Sequence, residues 1–106
     1  MLEYIAEFLG TFILTFSFLL YRDSNVGIFA KGITLMCSLF LFSNFSSGTF
    51  NPAILFVDFF EKMNNYKKIL FYMISQFLAS YIAYEAKQQY NILNINEIKD
   101  YESQLD

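Results

Sequence analysis

Three places in this 106-residue chain put polar side chains inside oily sequence. Glu7 lies within the apolar run 2–21 and Gln76 within the run 69–84. Between them stands Ser46-Ser47-Gly48-Thr49-Phe50-Asn51-Pro52-Ala53. Asparagine is a strong helix cap and proline is favoured at the first helical position, so Asn51-Pro52 predicts a helix start. That helix can run only to about Phe60, because Glu61-Lys62 and Asn64-Asn65 end it. At about 1.5 Å per residue it is roughly 13.5 Å long, about half the hydrocarbon thickness of a bilayer. Such a half-helix aims its free N–H groups and the positive end of its dipole at the bilayer midplane. There it repels cations and protons and offers Asn51 as a donor to a passing neutral solute. The chemistry expected is selective hydrogen bonding rather than bond making. The chain has no His and a single Cys, Cys37, with no nucleophile–base pair and no metal-ligand spacing. No enzymatic activity, metal or cofactor is therefore expected.

The composition says what must position these groups. Apolar residues make up 56% of the chain and charged residues 16%. Fourteen Phe and eight Tyr are more bulk than so small a soluble core could enclose. The expected class is an all-α membrane protein, integral and multi-pass. A span needs about 20 residues, so three spans with short loops fit and six do not. They are expected at 2–21, 28–45 and 69–84, with the half-helix at 52–60 re-entering between the second and third. The backbone from Ser46 to Phe50 is then irregular at membrane depth, which is tolerated only when buried in protein or lining a water-filled cavity. These elements form one unit, residues 1–86. Residues 87–106 read as a polar, acidic C-terminal tail with at most a turn or two of helix.

One face of the first span carries Glu3, Glu7, Gly10, Thr11, Leu14 and Ser17, and one face of the third carries Tyr72, Gln76, Ala79, Ser80 and Ala83. Small residues let helices approach closely in lipid, so these stripes mark the interior side. Glu3 and Glu7 stand where a cleavable signal would be basic, so the first segment reads as a retained span. The net charge of −3 argues against nucleic acid as a partner. Cys37 reads as a small apolar filler, and Tyr66 and Tyr84 as interfacial belt residues.

Three stretches carry a family resemblance, in order: Ala6-Glu7-Phe8-Leu9-Gly10-Thr11, Ser46 through Ala53, and Ser75-Gln76-Phe77-Leu78-Ala79-Ser80. Over residues 2 to 86 the chain resembles the first half of an aquaporin or glycerol facilitator, of the major intrinsic protein family. The resemblance implies that Asn51, Pro52 and Ala53 form one side of a pore constriction, with Thr49 lining it. It implies that Glu7 holds the re-entrant loop by accepting its backbone N–H bonds, and that Gln76 supports the same loop. Thr49 replaces the family's usual His, Ala79 its Gly, and Lys31 the aromatic of its outer filter. Lys31 would return a positive charge to the pore mouth. Plainer readings stand beside these: an ordinary helix cap for Asn51-Pro52-Ala53, an interfacial acid for Glu7, a generic interhelical hydrogen bond for Gln76, and a snorkelling lysine for Lys31.

Family channels join two such units in inverted orientation, and a lone re-entrant helix leaves backbone facing lipid. The expected pore is therefore completed by homo-oligomerisation, as an antiparallel dimer. The charge balance permits both orientations: Lys62, Lys67 and Lys68 lie on one side, against Arg22, Lys31 and Lys87 on the other, with Lys99 beyond. The expected function is a passive channel subunit for water or small, glycerol-like neutral solutes. The alternatives are a non-conducting relic or assembly partner of a full-length relative, and a small non-selective pore-former.

Overall fold

The structure, a computed structural model, describes residues 1–61 and 65–105. Lys62, Met63, Asn64 and Asp106, and with them the contribution of Lys62 to the charge balance, lie outside the described residues. The chain is all-helical: α1 (Leu2–Tyr21), α2 (Gly27–Phe42), α3 (Pro52–Glu61) and α4 (Tyr66–Leu105). Among the described residues α1 is long and apolar enough to cross a membrane, and α2 is apolar but shorter.

α1 packs along the first half of α4 and against α2, while α3 rests on α4. The buried face of α1 is Ala6, Glu7, Gly10 and Thr11, and that of α4 is Ile69, Tyr72, Gln76, Ala79 and Ala83. The small members Ala6, Gly10, Ala79 and Ala83 bring the two backbones close, and Glu7 and Gln76 pair across the interface. A separate apolar cluster of Leu55, Ile69 and Tyr72, flanked by Tyr4, Phe59 and Met73, seats α3 on α4. Glu3 fastens the same end of the bundle, accepting from the Tyr72 hydroxyl at 3.0 Å and pairing with Lys68 at 3.2 Å. α2 is tied to α1 by the Ser17–Thr34 hydroxyl pair at 2.8 Å.

Three expectations are corrected. The second helix ends at Phe42 rather than Phe45: the Ser43 amide still bonds the Leu39 carbonyl, but the Phe45 and Ser46 amides both return to the Phe42 carbonyl in a turn; Ser and Asn compete for backbone bonds and favour turns over helix. Residues 87–105 are not a loose tail but the continuation of α4, a helix of 40 residues. No Gly or Pro interrupts it, and Glu85-Ala86-Lys87-Gln88-Gln89 is a run of good helix formers. At about 1.5 Å per residue α4 is about 60 Å long, which accounts for the 64 Å long axis of the molecule. Cys37 is exposed on α2 rather than packed inside.

The outward faces are apolar. Ile28, Phe40 and Phe60 are each about four-fifths exposed, with Phe29, Met36, Val57 and Phe71 among many others more than half-exposed or close to it. The total accessible area, 7628 Å², exceeds the roughly 6,200 Å² of a compact soluble protein of this mass.

Candidate functional site

The site is built where the segment between α2 and α3 folds back into the bundle. Glu7 is completely buried, and its carboxylate gathers that segment onto α1. Oε1 accepts from the Thr49 amide at 3.0 Å and Oε2 from the Phe50 amide at 2.9 Å. The Ser46 and Ser47 hydroxyls approach Oε1 at 3.2 and 3.4 Å. The Thr49 hydroxyl lies 3.3 Å from both carboxylate oxygens. From α4, Gln76 Nε2 donates to Glu7 Oε2 at 3.3 Å and to Thr49 Oγ1 at 3.1 Å. A carboxylate buried without a cation is tolerated because donors surround it, as backbone amides do at anion sites.

Two backbone conformations allow this wrapping. Gly48 takes φ +70°, a left-handed conformation for which glycine is suited. Phe50 takes φ +52°, which is rare and strained for a bulky residue. The strain is offset by its amide bond to Glu7 and by the burial of its ring over Gly10. A Cβ at Gly10 would lie 2.2 Å from that ring, so only glycine fits there.

The segment ends at the start of α3. The Asn51 side chain caps the helix, its Oδ1 accepting from the Ala53 amide at 2.8 Å, and Pro52 occupies the first helical position. With Oδ1 engaged, Asn51 has its Nδ2 donor to offer. A half-open groove of about 550 Å³ lies in front of it, bounded by α1, α2, the loop and α4. Thr11, Phe18, Lys31, Asn51, Pro52 and Gln76 are among its lining residues. Lys31 Nζ sits 4.4 Å from the centre of the Phe18 ring. Among the described residues it is the one charged side chain lining the groove, and it has no carboxylate partner there. Thr11 Oγ1 and Gln76 Oε1 are buried and unpaired.

The expected site residues thus fall into two groups. Asn51, Pro52, Lys31 and Gln76 line the groove, and Glu7 and Gln76 meet beneath the loop. Thr49 and Ala53 do not line the groove, contrary to expectation. The Thr49 side chain turns inward because its hydroxyl links Glu7 to Gln76. Ala53, one residue further around the helix than Pro52, is exposed away from the groove. Sequence reasoning missed Ser46, Ser47 and Phe50 as Glu7 partners, and Phe18 as a groove residue. The spacing Glu7, Thr11, Leu14, Phe18 was a readable signal for the last of these, since it follows one helix face. No family model, no curated protein and no solved structure matches the chain.

Proposed function

We propose that the chain is a subunit of a passive membrane channel for water or small neutral solutes. In this reading α1, α2 and the first half of α4 span the bilayer, and α3 is the re-entrant half-helix. The observation that carries the proposal is the capture of the Thr49 and Phe50 amides by the buried Glu7 carboxylate. It holds a helix N-terminus against the bundle, where the capping Asn51 lines a groove with its Nδ2 donor free. Irregular backbone at such depth is tolerated when protein covers it on one side and water on the other. The exposed apolar faces of α1, α2 and α4 suit lipid, and exposed Tyr66 and Tyr84 suit the two interfaces.

The groove is open on the side away from α1, α2, the loop and α4. A second copy in inverted orientation covers that side, bringing a second Asn51 to face the first. By sequence Lys62, Lys67 and Lys68 on one side balance Arg22, Lys31 and Lys87 on the other, with Lys99 beyond, which permits both orientations.

The test is stopped-flow light scattering on proteoliposomes of the purified chain, with cross-linking to count subunits. Water or glycerol permeability above that of empty liposomes is expected, and Asn51→Asp should abolish it by placing a charge on the path. Permeability no higher than that of empty liposomes, or unaffected by Asn51→Asp, overturns the reading and favours a non-conducting assembly partner.

A further inference from the structure

We propose that the same groove passes small monovalent anions, with Lys31 as the charge that draws them in. The inference rests on the channel reading above and adds a second solute class to it. Lys31 lies one turn inside α2, beside Phe18 near the end of α1, and so stands at the mouth of the groove. The ring beneath its Nζ contributes a weak cation–π attraction and leaves the positive charge uncancelled. Among the described residues no carboxylate lines the groove. An unpaired cation in a low-dielectric passage attracts a counter-ion from water and turns cations away, which is how lysine and arginine rings act in anion pores.

Two further features lie deeper along the path. Two turns down α1 from Phe18, about 10 Å, the Thr11 hydroxyl is almost fully buried and has no partner. It lines the groove beside Asn51 and can donate to an anion. The N-terminus of α3 adds a partial positive charge at the same depth. Gln76 Oε1 is likewise buried and has no partner among the described residues, an acceptor suited to water rather than to the ion itself. The Glu7 carboxylate does not oppose passage strongly, because amides and hydroxyls enclose it and it is sealed from the groove. In an inverted pair each mouth carries its own Lys31, so an anion is drawn from either side.

The experiment uses the full chain in liposomes loaded with a halide-quenched fluorescent dye, challenged with iodide. Potassium flux and water permeability are measured on the same preparation. The wild type should pass iodide well above empty liposomes and pass no potassium. Lys31→Met should lower the ratio of iodide to water permeability roughly tenfold, as expected for loss of one poorly screened charge. Lys31→Arg should restore the ratio. A wild type that conducts water but no iodide overturns this inference alone. So does a ratio unchanged in Lys31→Met, or a potassium flux equal to the iodide flux. A wild type that conducts neither water nor iodide overturns the channel reading and this inference together.

Discussion

Glu7 and the acidic residues Glu97, Asp100 and Glu102 are carboxylates on long helices in opposite circumstances. Glu7, on α1, is sealed inside the bundle, and residues from two other segments converge on it: the loop 46–50 and α4. The distal acids stand on the part of α4 that no other element touches, where every residue from 92 to 105 is exposed. One region is specified by polar groups that have nowhere else to go. The other is helical without tertiary packing, with local contacts such as Lys87 donating to Asn91 at 2.9 Å. Burial turns a carboxylate from a solubilising group into the organiser of a fold, because its removal leaves donors that water cannot reach.

The comparison breaks most sharply at Glu7. Glu7→Ala strands the Thr49 and Phe50 amides, and two buried N–H groups at about 1–3 kcal/mol each predict a loss of about 2–6 kcal/mol. Denaturation in detergent micelles, followed by circular dichroism, reads this directly; a loss under about 1 kcal/mol would show that the loop does not depend on the carboxylate. Gly10→Ala comes next. The new methyl group pushes the Phe50 ring away and loosens the loop, for about 1–3 kcal/mol and reduced solute permeability. Gly10→Ser should behave the same way, since the added bulk and not its polarity is the cause.

Thr49→Val removes the hydroxyl that joins Glu7 to Gln76 while keeping the shape, and should cost about 1 kcal/mol. If the protein is as stable with valine, the hydroxyl contacts at 3.3 Å contribute nothing net. The smallest effect belongs to the other region. Ile98→Asp on the free half of α4 should change bundle stability by less than about 0.5 kcal/mol. Hydrogen exchange sharpens the same contrast without mutation. Amides of α4 between Ile69 and Ala83 should exchange orders of magnitude more slowly than those after Ile92. Equal protection along the whole helix would mean that the distal half is covered in solution.

Much of this was legible in the residues. α1 occupies the span its hydropathy predicts, and α3 begins at the Asn51-Pro52 signal and ends one residue past the expected point. The interior stripes of α1 and α4 follow from three- and four-residue spacing, because helix geometry alone puts those positions on one side. The distal half of α4 was misread for the converse reason. Its polarity suggests looseness, yet with no Gly or Pro to interrupt it the helix continues through to Leu105.

Local sequence thus determined where this chain is helical, where a helix must start, and which faces turn inward, since these depend on neighbours within a turn or two. The tertiary structure alone decided what the inward groups do. Whether Thr49 faces the groove or Glu7, whether Phe50 accepts a left-handed backbone, and which hydroxyls share one carboxylate all depend on residues about 40 positions apart meeting in space. Such contacts are set by competition among donors for one buried acceptor. That competition exists only once the chain has closed around Glu7.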